Sequence, residues 1–361
     1  MSISKHNIIN FDRKRLADFF IKMGEKSFRS DQVIKWVHQM GITDFSLMTN
    51  LSLSLRAYLQ ENFELRLPKV IEDKISSDGT RKWLLELEDK KVVEMVYIPE
   101  DDRGTLCISS QVGCALGCVF CATGRLGFTR NLELAEIVGQ LYVARQVLGF
   151  EKHAITNVVF MGMGEPLLNL ENVIAAANLF LDDFAYGLSK YRVTVSTSGI
   201  VPAFKRLREE SEVSFAVSLH APNDELRNAL MPINKKYPLR ELIPACKEYF
   251  ASSPRRLVTM EYVMLAGVND SPAEARELVK LLRNVPCKVN LIPFNLGKDQ
   301  AGDFRPTKQE NIDVFRNILL AADINTITRK SRGADILAAC GQLAGGREQA
   351  CLFLTQKNMS T

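Results

Sequence analysis

The sequence contains no long apolar run. Its first twenty residues include Asp12, Arg13, Lys14, Arg15 and Asp18, which is unlike a secretory leader, and no later stretch reaches the roughly 20 apolar residues that span a bilayer. A cytoplasmic protein with no membrane attachment is expected. Cysteine is sparse, at eight in 361 residues, too few for a disulfide scaffold, so intracellular thiols are expected, with any disulfide transient. Excess charge is small. A net +4 allows an acidic partner without requiring one, and it does not establish nucleic-acid binding. With 46% hydrophobic residues, the chain can bury a large core and is long for one compact domain, so a large domain plus a smaller one is expected.

The few cysteines are concentrated. Four lie between Cys107 and Cys121, three of them in the run Cys114-Ala115-Leu116-Gly117-Cys118-Val119-Phe120-Cys121. Three soft thiolates so close together point to metal or cluster chemistry. On a four-iron cluster, three cysteine ligands leave one iron without a protein thiolate, free to take a substrate or cofactor. From these eight residues alone, a zinc site completed by Cys107 or His220 also fits.

Residues 11–64 read as helical and self-contained. Val33, Ile34, Val37 and Met40 follow Ser30, a candidate N-cap, at helical spacing, and Leu51, Leu53 and Leu55 open a further helix. From Lys69 the period changes to strands at 69–75, 82–87 and 92–98, with turns at Ser77-Asp78-Gly79 and Glu88-Asp89-Lys90. Strands are then expected at 105–111, 155–161, 192–197, 213–219, 257–264, 287–292 and 324–328. Helices alternate with them at 132–149, 169–183, 201–210, 238–251, 271–284 and 307–322. Such alternation implies right-handed crossovers and a parallel sheet, open or partly closed, with ligand groups at the strand C-termini.

Polar clusters fall at four of those ends: Gly162-Met163-Gly164-Glu165-Pro166, Ser196-Thr197-Ser198-Gly199, Ser218-Leu219-His220 and Pro293-Phe294-Asn295. Singly, each reads as a turn or helix cap. Glu165 is a suitable acceptor for a ligand ammonium group.

The cysteine spacing resembles the CxxxCxxC signature of radical S-adenosylmethionine (SAM) enzymes. Together with Thr105-Leu106-Cys107, Phe128-Thr129-Arg130-Asn131-Leu132, Met161 through Leu167, Val217 through Ala221 and Ala339-Cys340-Gly341-Gln342-Leu343, it resembles the RlmN/Cfr family of RNA adenine methyltransferases, from the N-terminal region to about residue 345. The resemblance implies an α/β fold: a radical SAM partial (β/α)6 barrel at 105–330, a small helical RNA-binding domain at 1–66, a β-meander adaptor at 67–104, and a mobile C-terminal segment at 331–361. It implies a [4Fe-4S] cluster on Cys114, Cys118 and Cys121, and SAM, two per turnover, contacting Gly164, Glu165, Ser196, Ser218, Leu219, His220 and Asn295.

Carbon 2 of adenine is too electron-poor to attack SAM directly, so a radical route is needed. By the resemblance, Cys340 accepts a methyl group from one SAM. A radical derived from a second SAM then removes hydrogen from that methyl, and the resulting carbon adds to adenine. Glu94 accepts the ring proton, and Cys107 attacks Cys340 to release the base with a transient disulfide. The implied substrates are carbon 2 of adenine in 23S rRNA and in the tRNA anticodon loop, and the implied electron donor is a flavodoxin or ferredoxin acting on a monomer. A Cfr-like attack on carbon 8 and a zinc-binding RNA-binding protein are the alternatives.

Read from the residues alone, Cys340 lies in a glycine-rich, basic stretch, with Lys330, Arg332 and Gly333 before it and Gly341, Gly345 and Gly346 after it. Glu94 has the setting of a solvent-facing strand residue. Cys246, Cys287, Cys351, His6, His38 and His153 are given no functional role. Lys205, Arg206 and Arg208, and Arg329, Lys330 and Arg332, are candidate phosphate contacts, although charge runs are more often solvated faces.

Overall fold

The computed structural model describes residues 5–150, 154–253, 255–295 and 304–344; His153, Gly345, Gly346 and Cys351 lie outside the described residues. The N-terminal part contains α1 (Arg13–Lys22), α2 (Arg29–Ile34) and α3 (Leu53–Asn62), with strands β1 (His6–Asn7) and β2 (Phe63–Glu64) pairing in parallel. Asp12 and Ser52 cap α1 and α3 by accepting from Arg15 and Leu55 N–H groups, as short polar side chains do at helix starts. Ser30 is not a cap. It sits inside α2, buried, and its hydroxyl donates back to the Ser27 carbonyl at 2.7 Å. Val33, Ile34 and Val37 enter the core while Met40 stays exposed.

One ten-stranded sheet organises the rest. In chain order its strands are β3 (Lys69–Ile75), β4 (Arg81–Glu86), β5 (Val92–Glu100), β6 (Arg103–Cys107), β9 (Asn157–Phe160), β10 (Val193–Thr197), β11 (Ser214–Ser218), β12 (Val258–Met264), β13 (Cys287–Pro293) and β14 (Thr326–Thr328). Spatially they run β14-β13-β12-β11-β10-β9-β6-β5-β4-β3, without closing into a ring. From β6 to β14 all pairings are parallel. The crossovers are made by α5 (Leu134–Leu148), α6 (Leu170–Leu181), α7 (Phe204–Glu210), the pair α8 (Asp224–Leu230) and α9 (Leu239–Tyr249), α10 (Pro272–Leu282) and α11 (Gln309–Leu320). This gives six strand-helix units and a seventh edge strand. A reciprocal cap between Glu133 and Glu136 opens α5, and Ser271, Pro272 and Glu274 start α10.

The alternation read from sequence is met at all seven parallel strands. The addition is α8, in a stretch expected to be loop. The meander is hydrogen-bonded into the barrel sheet, with β5 antiparallel to β6 and Val96 opposite Cys107. The helical N-terminal part is not self-contained either: its core is continuous with that of the barrel, and the Asn10 side chain accepts from the Ala135 N–H at the start of α5 (3.0 Å). Strands β7 (Gln111–Gly113) and β8 (Phe128–Asn131) pair separately and enclose the three-cysteine loop, with the short α4 (Ala122–Arg125) inside it.

Candidate active site

Parallel strands end on one side of a sheet, and their C-termini surround a cavity here. Its lining includes Cys114, Cys118, Cys121, Gly164, Glu165, Ser196, Ser218, His220 and Cys340. Two of the expected SAM-binding residues are not on its wall. Leu219 is buried, with its N–H donating to the Glu261 carbonyl at 3.0 Å and its own carbonyl accepting from Arg227 at 3.1 Å. Asn295 stands behind Pro293 and Phe294, which do line the cavity, and its carbonyl accepts from Gln342 at 3.3 Å.

The loop after β9 is held tightly. Gly164 has φ +98°, and a Cβ there would come within 2.5 Å of the Gln111 side chain. Only glycine combines that backbone with such close approach. Gln111 in turn accepts the Glu165 N–H at 2.8 Å. The Glu165 carboxylate accepts the Leu167 N–H at 3.0 Å and the Ser198 N–H at 2.8 Å, tying the loops after β9 and β10 together. Burial pushes its carboxyl up against the stabilising pull of those N–H groups. Each oxygen keeps a lone pair for a cationic ligand.

The cysteine loop is closed by the Cys114 N–H donating to the Gly127 carbonyl (2.8 Å) and the Val119 N–H donating to the Leu230 carbonyl (3.1 Å). Burial pushes the Cys114 thiol up to about 12 and raises those of Cys118 and Cys121, with the neighbouring thiols adding to the shift of Cys118. Free thiolates are therefore disfavoured, and a positively charged iron cluster that takes them as ligands removes that penalty. Among the described residues, no three His, Cys, Asp or Glu side chains are grouped as ligands of a single metal ion. Three thiols on the wall of one cavity fit a cluster, whose separate irons each take one thiolate.

The segment bearing Cys340 docks on this loop. The Ala122 N–H donates to the Gly341 carbonyl, and the Thr123 hydroxyl to the Leu343 carbonyl, both at 2.7 Å. Cys340 is exposed and Cys107 half-buried. Burial pushes the Cys107 thiol up to about 12, charge on Cys340 adds to the shift, and Arg329 opposes it.

Glu94 departs from the solvent-facing setting its sequence suggests. It is only 4% exposed; its Oε1 lies 3.5 Å from Lys82 Nζ, and its Oε2 accepts the Ala344 N–H at 3.2 Å. Because β5 runs antiparallel to β6, the beginning of β5 lies beside the end of β6, which puts Glu94 at the cavity end of the sheet.

Two groups at the site, Arg227 and Glu261, went unnoticed in the sequence, whereas His220 was singled out there. Arg227, on α8, is fully buried and donates to the carbonyls of Ser198 (2.8 Å), Ser218 (2.9 Å) and Leu219 (3.1 Å), joining the loops after β10 and β11. Burial lowers its pKa to about 10. His220, at φ +58°, accepts the Val263 N–H on Nδ1 at 3.0 Å, so its proton belongs on Nε2. Burial, then Arg227, lowers its pKa to about 3 and keeps the ring neutral. Glu261, inside β12, lines the cavity with Arg329 3.9 Å away.

Arg329 therefore faces the cavity, not an outer phosphate-binding surface. Arg206 and Arg208 are engaged by Glu210 and Glu248 at the surface, and Lys205 lies 4.0 Å from Glu209. Cys246 is core, and His6 sits in an aromatic cluster with Phe11, Phe19 and Phe63. No helix among the described residues is long and apolar enough to cross a membrane.

Comparison with known proteins agrees with this geometry. Residues 6–65 match the ribosomal RNA large subunit methyltransferase N-terminal domain, and residues 108–281 match the radical SAM superfamily. A radical SAM methyltransferase from Sphaerobacter thermophilus is 41% identical, with a TM-score of 0.86 over 94% of this chain and 100% of that one. SuiB of Streptococcus suis, bound to S-adenosylmethionine, is 12% identical with a TM-score of 0.46 over 64% of this chain and 52% of that one. A domain of the pyruvate-formate lyase-activating enzyme of Bacteroides vulgatus is 16% identical with a TM-score of 0.38, over 48% and 99%. The 41% identity across nearly the whole chain, with both domains matched in order, decides the assignment: the chain belongs to the radical SAM methyltransferases, in the RlmN family.

Proposed function

We propose that this enzyme methylates carbon 2 of adenine in 23S rRNA and in the tRNA anticodon loop, through an S-methyl intermediate on Cys340. One observation carries the reading: the Cys340 segment is hydrogen-bonded to the three-cysteine loop, Gly341 to Ala122 and Leu343 to Thr123, with Cys340 on the wall of the cavity those cysteines line. A thiol there serves as a methyl carrier; a merely structural cysteine has no reason to be exposed at that point. The zinc-binding alternative has no place in a radical SAM chain.

Cys114, Cys118 and Cys121 would hold the [4Fe-4S] cluster, and Gly164, Glu165, Ser196, Ser218, Leu219, His220 and Asn295 would hold SAM. Leu219, whose N–H and carbonyl are already bonded to Glu261 and Arg227, and Asn295, whose carbonyl is bonded to Gln342, would reach SAM only after rearrangement. When bound, the cluster and two SAM molecules per turnover supply a methyl group for Cys340 and a carbon radical for hydrogen abstraction. The chain's own residues do the rest. Glu165 offers its remaining lone pairs to the ligand ammonium, and neutral His220 adds no positive charge beside a cationic sulfonium. Glu94 accepts the proton lost from the base, and the odd electron of the radical adduct passes to the external one-electron carrier, leaving a closed-shell thioether between Cys340 and the base. The Cys107 thiolate attacks the Cys340 sulfur, forming the S–S bond as the S–C bond breaks, and the released pair passes to the methylene carbon, which a proton completes to methyl. An electron donor of the flavodoxin or ferredoxin kind acts from outside on a cytoplasmic monomer.

Nucleoside mass spectrometry of rRNA and tRNA from cells lacking the gene tests the reading. Loss of 2-methyladenosine from both RNAs, restored by the wild-type gene and not by Cys340→Ala, is expected. Loss of 8-methyladenosine instead would move the reaction to the other carbon.

A further inference from the structure

Lys82 is an unusual residue to bury. It lies on β4 at 8% exposure, where an ammonium group is tolerated only if other groups replace its water. Two do. Its Nζ donates to the Leu337 carbonyl at 3.1 Å and lies 3.5 Å from Glu94 Oε1. The other Glu94 oxygen takes the Ala344 N–H. One buried ion pair thus grips the C-terminal segment on both sides of Cys340.

The rest of the segment has its own anchors. Asp78 accepts the Gly333 N–H at 3.0 Å, and Asp335 accepts from the Ser76 hydroxyl (2.6 Å) and the Ser77 N–H (3.1 Å). The stretch between these anchors and the cysteine loop includes Leu337 at φ +55°, a left-handed conformation that leucine adopts only where its surroundings impose it. The Lys82 bond is made to that residue's carbonyl.

Glu94 is buried, with a partner on each carboxylate oxygen. Facing it are Lys82 from β4, the charge of Glu72 from β3, and the Ala344 N–H from the segment; from beyond β6, the Ser109 hydroxyl bonds only its main-chain carbonyl. Burial, the largest influence, pushes its carboxyl up.

We propose that Lys82 is a positioning residue, and that the Lys82–Glu94 pair is a catch that holds the Cys340 segment against the cavity until Glu94 takes up a proton. This rests on the reading of Glu94 as proton acceptor given above. The proton leaves the ring carbon for a Glu94 oxygen, the C–H pair stays in the ring, and the odd electron of the radical adduct leaves to the one-electron carrier named above, so that a closed-shell thioether remains. The carboxyl is then neutral: Ala344 loses a charged acceptor and Lys82 its counter-ion. Charge-assisted hydrogen bonds are about twice as strong as neutral ones, so both grips weaken together. That is the stage at which Cys107 must reach the Cys340 sulfur and the segment must move.

Hydrogen–deuterium exchange on the anaerobically purified, cluster-loaded full chain, without RNA, tests this. Glu94→Gln, a neutral carboxyl mimic of the same shape, should raise amide exchange across 337–344 by roughly tenfold while β9 to β13 stay protected. Lys82→Met should do the same, Lys82→Arg should restore protection, and the double variant should exchange no faster than the faster single one. Unchanged exchange in Glu94→Gln would overturn the proposal, as would additive effects in the double variant. Should Lys82→Met fail to fold, Glu94→Gln still decides. Because no RNA is present, failure of the catch is distinguishable from failure of the methylation reading: nucleoside analysis tests the second alone.

Discussion

The backbone N–H of Ala122, one residue beyond the last cysteine of the loop, donates to the carbonyl of Gly341, one residue beyond Cys340, at 2.7 Å. Residues more than two hundred apart in sequence are thereby held together by a bond between main-chain atoms. Replacing the Cys121 or Cys340 side chain removes neither main-chain atom of that bond, so the roles of the thiols can be tested while it is kept.

Changing Cys114, Cys118 or Cys121 to Ala should abolish iron and sulfide content in anaerobically purified protein while far-ultraviolet circular dichroism stays close to wild type. Stoichiometric zinc without iron in the wild-type preparation would contradict the cluster assignment.

Protein made with an intact cluster should carry one extra methyl group on Cys340 by peptide mass spectrometry, and none on Cys287 or Cys351. Cys107→Ala should keep its cluster and this methyl group, yet purify with RNA covalently attached to Cys340. Nuclease should shorten that RNA and denaturant should not remove it. Adding Cys340→Ala should eliminate the adduct. A Cys107→Ala protein that turned over normally would show that Cys107 is dispensable.

Gly164→Ala should weaken SAM binding and lower stability by ~1–3 kcal/mol, through both its backbone and the blocked approach to Gln111. Gly24 also has positive φ, +81°, with nothing within 4 Å of a built Cβ, so Gly24→Ala should lose only ~1 kcal/mol and leave SAM binding alone. Thermal unfolding and isothermal titration with SAM separate the two. Equal SAM affinity in both variants would remove Gly164 from the binding site.

His38 is fully buried, and burial, then Arg145, lowers its pKa from 6.5 to about 3. Below about pH 6.5 the unfolded chain binds a proton that the folded chain refuses, so this contribution to stability falls as pH falls, by ~1.4 kcal/mol per unit until about pH 3. At pH 5 the loss is ~2 kcal/mol. His38→Gln should flatten the denaturant-midpoint profile over that window by the same amount. Identical slopes in the two proteins would mean that His38 is protonated in the fold.

The strands and helices of the barrel were legible because alternating apolar runs dominate from residue 105 onward, and the polar clusters stood out as breaks in that pattern. What escaped notice is charge placed where the pattern says apolar or solvent. Glu94 reads as outward-facing, and Lys82 and Glu261 drew no reading at all; the first two are buried under the C-terminal segment and the third inside the barrel. That covering comes from residues far away in the chain, so no local window reveals it. Arg227 was missed with its helix, since Asp224–Leu230 is short and has only Arg227 and Leu230 buried. The basic run at 205–208 looked like a phosphate site because its partners Glu210 and Glu248 are supplied by the helix itself and by a neighbour. Leu219 was named through its motif, although its main-chain groups are already spent on Glu261 and Arg227.

The pairing of β5 with β6 makes this chain indivisible at the point where its composition suggests a cut. A fragment beginning at residue 105 would keep all three clustered cysteines and the strand ends that face the cavity. It would lose the strand carrying Glu94, the strand carrying Lys82, and the turn at Ser76–Asp78 that anchors the segment ahead of Cys340. Such a fragment would expose the edge of β6, an unpaired row of main-chain donors and acceptors that invites association with other strands. Swapping N-terminal regions between relatives at that boundary would therefore exchange the strands that pack against the Cys340 segment along with the helical N-terminal part.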